Sequence, residues 1–353
     1  MKPKVFFLAP LPPPVHGFSV ISSNVFALLT ATGAEIHLIN SQPSGFWQGL
    51  LKLIGFIRAT AFTPATYKQC LYIALSGGVR QYLDMLYVLV ARAFRIRMYV
   101  HHHSYYYLNQ RPIQSRLIFS LLKNATHIAL CDAMREKISK NYGISVQNIQ
   151  TISNSAFIPA QNQNNLYHPE TGQSIKIGYL ANITQDKGIF VFLDAIERLS
   201  EAGHNVEALI GGPLDPTIKP AFEAAISKLP NVKYIGAVYD EKKHSFFRLI
   251  NIFAFPTLYK NEAEPLVIWE AQSYGIPAAS INRGCIPCLL GQNGDLLAES
   301  AADFLSKLEL AICKVLAHPD YYLFLSNNAM RHFADIKLSS NRTLDKLIND
   351  LTS

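Results

Sequence analysis

Residues 261–277, NEAEPLVIWEAQSYGIP, set two carboxylates, Glu262 and Glu270, around a loop-to-helix junction. The preceding NIFAFPT (251–257) has the apolar run of a short buried strand closing at Pro256. Pro265 stands where a first helical turn tolerates proline, and Gly275 with Pro277 supplies a stop, so the pattern predicts a helix from Leu266 to Tyr274. That arrangement puts free backbone N–H groups beside both acids. Amides at a helix N-terminus attract phosphate, and carboxylates accept hydrogen bonds from hydroxyls, so the junction suits both halves of a sugar nucleotide. An ordinary strand-loop-helix corner with surface acids would use the same residue types.

Outward from this stretch, short apolar runs alternate with helical patterns, which predicts parallel sheets wrapped by helices. Strand candidates are KVFFLAP, EIHLIN, CLYIAL, RMYVH and HIALC in the first half, then KIGYLA, VEALIGG, VKYIGA and NIFAFPT. Residues 158–174, IPAQNQNNLYHPETGQS, are rich in Asn, Gln and Pro and lack apolar periodicity, as a linker does. The expected fold is α/β, two doubly wound Rossmann-like domains facing across a cleft, with ligands at the carboxyl ends of the strands. The expected boundaries are an N-terminal domain over 1–160, a linker over 161–174 and a C-terminal domain over 175–335. Residues 336–353 are expected to form a helical tail returning toward the first domain.

The 353 residues suit about two domains. No run of about 18 apolar residues is present, and MKPKVFFLAPLPPP is not a secretory leader, so the expected location is the cytoplasm. The five cysteines are an odd count without framework spacing. Residues 1–165 carry 15 Lys+Arg against 4 Asp+Glu, a net of +11, whereas residues 166–353 carry a net of −4. The basic half calls for an anionic partner. No nucleic-acid-binding motif accompanies the charge, so an anionic membrane surface met by the N-terminal domain is expected rather than nucleic acid. The segment GFWQGLLKLIGFIRATAF (45–62) is either a buried core helix or a membrane-facing one, in which case Lys52, Arg58, Arg92, Arg95 and Arg97 would meet anionic lipid.

Three further segments carry candidate chemistry. In GYLANITQDKGIFVFLDAIERL (178–199) a strand ends in a polar loop and Lys187-Gly188 opens a helix; the lysine reaches a diphosphate as a point charge and Gly188 permits close backbone approach. In LAPLPPPVHGFSVISSNVFALL (8–29) a strand leads through His16, Gly17, Phe18 and Ser19 into a helix, whose N–H groups suit a phosphate or an acceptor hydroxyl. RMYVHHHSYYY (97–107) ends a strand in His101, His102 and His103, and alternation directs His102 away from its two neighbours. Three consecutive histidines cannot all face one metal from a regular strand. CIPC (285–288) has metal-motif spacing but no second ligand pair, so no metal site is expected. An Asp-x-Asp, a Gly-x-Gly-x-x-Gly and a P-loop are all absent from the sequence.

The order Glu, seven residues, Glu, helix and Gly-x-Pro resembles the donor site of retaining glycosyltransferases of family 4 (glycosyltransferase group 1), which have the GT-B fold, and the resemblance covers nearly the whole chain. It implies that Glu270 binds the ribose hydroxyls and Glu262 faces the donor sugar. The amides of Ala263, Glu264, Pro265 and Leu266 are implied near sugar and diphosphate. The family's loop Gly-Arg, four residues, Lys-Gly corresponds to 181–188: Lys187 matches, while Asn182 replaces the arginine and contributes hydrogen bonding only. Gly17 matches the second glycine of a Gly-Gly loop. Register with a short His-x-Ser pattern assigns the histidine over the donor sugar to His102, with His103 one step away. TISNSAF (151–157) resembles the interdomain Ile-Pro-Asn-Gly segment through Asn154, and YIGAVYD (234–240) resembles the segment whose Val238 and Tyr239 contact the base.

The function so implied is retaining transfer of a sugar from a nucleoside-diphosphate sugar to a glycan acceptor, lipid-linked, in bacterial surface polysaccharide synthesis. Glu262, His102 and Lys187 are the catalytic candidates. No cofactor and no metal is required, because Lys187 and helix amides meet the leaving-group charge. The expected location narrows to the cytoplasmic face of the inner membrane. The alternatives are a sugar-nucleotide 2-epimerase of the same fold, or a non-catalytic sugar-nucleotide-binding protein.

Overall fold

The computed structural model describes residues 3–42, 46–64, 67–161, 173–291 and 296–353. Most of the expected linker, residues 162–172, therefore lies outside the described residues, as do Met1, Lys2 and Gly45. The chain divides into two compact units, Met1–Phe157 with Lys337–Ser353, and Ile158–Ile336.

The first unit is built on six parallel strands: β1 (Lys4–Ala9), β2 (Glu35–Asn40), β3 (Gln69–Leu75), β4 (Arg97–His102), β5 (Thr126–Ala129) and β6 (Ile149–Thr151), in the order β2-β1-β3-β4-β5-β6. The continuous apolar runs of β1 and β3 follow from helices covering both faces, which leaves no solvent side for a polar alternation. Phe6, Phe7, Leu71, Tyr72 and Ile73 are fully buried. Phe7 stacks on Tyr72 with centroids 4.8 Å apart, and Phe6 meets Phe56 edge-on at 4.9 Å. The helix Pro319–Thr352 ends in this unit, with Leu344, Leu347 and Leu351 buried. Ser340 Oγ accepts from the Ser153 N–H at 3.1 Å, and Tyr99 Oη donates to the Asp350 carbonyl at 3.3 Å.

The second unit repeats the plan with β7 (Ile175–Leu180), β8 (Val206–Gly211), β9 (Val232–Tyr234), β10 (Ile252–Phe255), β11 (Ala278–Ile281) and β12 (Leu297–Ala298), in the order β12-β11-β10-β7-β8-β9, all parallel. The chain builds outward from β7 to β9, then returns to add β10 on the other side of β7. The order reverses between β7 and β10, and the crevice outside their carboxyl ends is where ligands of such sheets bind. The loops that leave these two strands carry Lys187 and Glu262.

Three strands escape the sequence pattern for physical reasons. β11 is Ala-Ala-Ser-Ile, without the branched and aromatic residues that mark a strand. β6 and β12 are three and two residues long. β9 ends at Tyr234, earlier than VKYIGA suggests, because Gly236 turns the chain with φ +74°.

Candidate functional site

The loop after β7 is held from several sides. Ile183 forms a parallel bridge to Leu214, Thr184 Oγ1 accepts from the Lys187 N–H at 3.3 Å, and Tyr179 Oη donates to the Lys187 carbonyl at 2.9 Å. Gly188 has φ +79°, and a Cβ there would lie 1.9 Å from the Pro256 carbonyl oxygen, so only glycine lets this loop close on the end of β10. The Leu258 N–H donates to the Asp186 carbonyl at 2.9 Å and completes the seam. Asn182 is exposed at the start of the loop and carries no charge.

This seam brings Lys187 Nζ to 2.6 Å from Glu262 Oε2, with the two side chains 27% and 11% exposed. The same carboxylate oxygen accepts from Thr257 Oγ1 at 3.3 Å. The ammonium also lies 5.0 Å from the ring centroid of Tyr259 and 5.8 Å from that of Phe255, so its attraction to the ring faces adds to the ion pair. Gly284, with φ +54°, is the second glycine the site requires: a Cβ there would meet the Glu262 carbonyl oxygen at 2.1 Å.

The helix Leu266–Ser273 follows, with Tyr274 as its C-cap and Gly275 at φ +73°. Pro265 is the N-cap rather than a residue of the first turn, and it has no N–H. The expected run of four amides is thus corrected to three, those of Ala263, Glu264 and Leu266. The Glu264 side chain is turned inward, accepting from Trp269 Nε1 at 3.0 Å, and Ala263 is buried with its carbonyl bound to the Cys285 N–H at 2.8 Å.

Glu270 projects from the second turn of this helix. Its Oε1 receives Lys243 Nζ at 2.9 Å, while Oε2 is buried and has no hydrogen-bond partner among the described residues. Lys243 comes from the helix Asp240–Leu249, which begins directly after Tyr239. Val238 is buried, and Tyr239 is 48% exposed at the helix entrance. Lys243 carries no sequence signal of its own, being one of two adjacent lysines on a polar helix. In the loop after β11, Arg283 Nη1 donates to the Asn282 carbonyl at 2.7 Å, and its Nε is buried without a partner among the described residues.

In the first unit, Gly17 opens the helix Gly17–Ala31, and His16 and Ser19 form a reciprocal cap: His16 Nδ1 accepts from the Ser19 N–H and Ser19 Oγ from the His16 N–H, both at 3.1 Å. These two side chains hold the helix start.

The assignment of His102 to a donor sugar is corrected by its surroundings. Its Nδ1 pairs with Tyr107 Oη and its Nε2 with His127 Nδ1, each at 3.0 Å, and its ring lies nearly parallel to those of His127 and Phe119, which cluster with it, and has no exposed surface. Both nitrogens are committed to the interior. Burial, reinforced by the adjacent imidazoles, holds His102 well below its ordinary pKa, and burial takes His127 to about 4 and His101 to about 3. His101 and His103 point the other way, with rings 4.0 Å apart. His103 is partly exposed, stacks on Phe18 at 4.6 Å, and its Nε2 has no partner among the described residues. Nε2 of His101 is likewise buried without a partner among the described residues, and of the two only His103 is partly exposed.

The helix Phe46–Ala61 is divided by side: Phe56 and Thr60 are buried, whereas Trp47 (72%) and Leu51 (67%) are exposed along with Leu50, Ile54 and Ile57. Phe56 packs on Tyr87 of the helix Gln81–Ala93, which exposes Tyr82, Leu83, Leu86 and Leu89. Between residues 36 and 131 the one acid is Asp84, and it is buried, accepting from the Ser76 N–H at 2.9 Å. Lys52 donates to the Asn40 carbonyl at 3.0 Å, Arg92 Nη1 to the Leu121 carbonyl at 2.7 Å, and Arg97 lies 3.8 Å from Asp350; Arg58, Arg92, Arg95 and Arg97 are exposed, whereas Lys52 is half-buried. Among the described residues, no helix is long and apolar enough to cross a membrane, and no three His, Cys, Asp or Glu side chains converge as metal ligands.

Residues 174–317, the part of the chain that holds Lys187, Glu262 and Glu270, match the family model described as Glycosyl transferases group 1. The chain is 29% identical over 166 residues to the capsular polysaccharide biosynthesis glycosyltransferase CapM of Staphylococcus aureus, covering 44% of this chain and 43% of that protein. It is 30% identical over 107 residues to the O-antigen chain mannosyltransferase C of Escherichia coli, covering 30% and 28%. The chain thus spans less than half the length of these curated relatives. Over 99% of its length it is similar in structure to Anabaena HepE in complex with UDP, with a TM-score of 0.74, 14% identity and 100% of that chain covered. The two six-stranded parallel sheets with flanking helices are the two-domain, Rossmann-like architecture of the GT-B class.

Proposed function

We propose that the chain is a retaining, metal-independent glycosyltransferase that moves a sugar from a nucleoside-diphosphate sugar to a lipid-linked glycan in bacterial surface polysaccharide synthesis. The observation that carries the reading is the Lys187–Glu262 pair at 2.6 Å, set at the order reversal of the second sheet beside the amides of Ala263, Glu264 and Leu266. Lys187 and these amides would stabilise charge developing on the departing diphosphate, a task that needs preorganised donors where charge appears. Glu270, with one buried oxygen lacking a partner, would accept the ribose hydroxyls, and Tyr239 with Val238 would flank the base. Glu262 would orient the sugar. We assign the family's strand-end histidine to His103, and Gly17 keeps the role the resemblance gives it. The polysaccharide setting is supported by the names of CapM and the O-antigen mannosyltransferase, and a nucleotide with UDP chemistry by the HepE complex.

The first unit would bring the enzyme to the cytoplasmic face of the inner membrane. The support is the exposed apolar face of the helices Phe46–Ala61 and Gln81–Ala93 with exposed Arg58, Arg92 and Arg95 beside it. Apolar side chains enter the headgroup boundary while arginines meet anionic lipid.

The test is release of nucleoside diphosphate from UDP- and GDP-sugars, with and without a lipid-linked glycan and with and without a chelator. Acceptor-dependent, chelator-resistant release with an α-linked product from an α-linked donor is expected. Acceptor-independent sugar isomerisation would instead identify a 2-epimerase, and binding without turnover a sensor.

A further inference from the structure

Lys187 and Glu262 each have a second partner waiting in the reaction proposed above, and the other acids of the corner have bases or donors of their own. Glu264 is bound by the Trp269 indole and Glu270 by Lys243. Glu262 is therefore the acid that competes for Lys187, at 2.6 Å, in a setting where its own side chain is only 11% exposed. Resting on that donor-site reading, we infer that the Lys187–Glu262 pair is a product-release device: it lets the site hold a nucleotide sugar and reject the nucleoside diphosphate left after transfer.

Two exchanges produce this selectivity. A bound diphosphate draws the Lys187 ammonium away from Glu262. With the sugar present, its hydroxyls donate to the Glu262 carboxylate, so both members of the broken pair find replacements. With the sugar gone, Glu262 would remain a mostly buried carboxylate without its cation, supported among the described residues by the Thr257 hydroxyl alone, at 3.3 Å. Stripping one partner from a buried pair costs far more than the pair itself contributes. Lys187 therefore returns to Glu262, the diphosphate loses its counterion and it leaves. A monophosphate does not demand Lys187 in the same way. Glu262 thus acts against the product and for the donor with the same oxygen.

The test is calorimetric binding of UDP, UMP and UDP-glucose, and in parallel GDP, GMP and GDP-mannose, with the series the parent binds carried into the variants. Glu262→Gln keeps the side-chain shape and removes the charge. It should bind the nucleoside diphosphate about 10-fold more tightly than the parent, leave the monophosphate unchanged, and bind the nucleotide sugar more weakly. A purely structural role would move all three ligands in one direction. In a Lys187→Met background the substitution should no longer tighten the diphosphate. If Glu262→Gln does not fold, Glu262→Asp, which withdraws the carboxylate by one methylene, should show the same signs at smaller size. An unchanged or weakened diphosphate, or tightening that persists without Lys187, overturns the inference and leaves the donor site standing. A parent that binds neither diphosphate overturns the donor-site reading itself.

Discussion

At the scale of single residues, the consequences centre on the two acids and the two lysines that face them. Hydroxyl-to-carboxylate bonds in a desolvated setting are charge-assisted, so Glu270→Ala should cost about 1.5–3 kcal/mol of nucleotide affinity. Calorimetry with the diphosphate the parent binds measures it, and unchanged affinity in a folded variant would remove Glu270 from the donor site. Lys187→Ala differs in kind, since a cation acting on developing charge affects turnover more than substrate affinity: turnover should fall roughly 100-fold or more, and added divalent metal should not restore it. The corner that carries the two acids was legible in the sequence as strand, loop and helix, and the structure adds that Lys187 meets Glu262 there. Lys243 was not, because a lysine on a polar helix announces nothing until the fold sets it 2.9 Å from Glu270. His102 has both ring nitrogens engaged in the interior, which is why the proposed role moves to His103. Alternation along the strand correctly sent His102 away from its neighbours, but only the packing of Phe119, Tyr107 and His127 shows that this side is the interior.

At the scale of elements, β4 has a measurable signature. His101, His102 and, on β5, His127 are held neutral by burial, with folded-state pKa values below the ordinary 6.5. The unfolded chain therefore takes up protons that the folded chain refuses, so their contribution is complete above about pH 6.5 and is lost as the pH falls toward about 4. Urea unfolding of the first unit at pH 7 and pH 5 should show a loss of up to about 1.4 kcal/mol per pH unit for each such group, and a pH-independent midpoint would contradict their neutrality. The helices Phe46–Ala61 and Gln81–Ala93 make the second prediction at this scale. Vesicles containing anionic lipid should sediment the protein, neutral vesicles should not, and high salt should release it. Replacing Trp47 and Leu83 by serine should weaken the association while leaving nucleotide binding intact; equal failure to bind both vesicle types would remove the membrane from the proposal. The nine strands that the sequence marked are those with branched or aromatic runs. The three it did not mark lack that chemistry or that length, and β11 takes its place from the strand beside it, with Phe253, Ala254 and Phe255 paired to Ala278, Ala279 and Ser280.

At the scale of the whole molecule, two units share one chain, and the second unit's order reversal brings the loops that carry Lys187 and Glu262 together. The charge asymmetry was legible from composition alone, whereas the strand order was not, because nothing local says that β10 returns to the far side of β7. That return has a kinetic meaning. Lys187 and Glu262 are 75 residues apart in the chain, and the pair depends on β10 having paired with β7. A long loop closure of this kind forms late and slowly compared with local helices. A nucleotide that engages the pair therefore recognises the paired β7 and β10 and not the unfolded chain, and mass action then turns occupancy into resistance to unfolding: ligand at 100 times its Kd should add about 2.7 kcal/mol. Thermal melts of the parent with increasing diphosphate should rise accordingly, and limited proteolysis should show the protection concentrated in residues 173–336. The donor site, on this view, is also the molecule's own certificate of having finished folding.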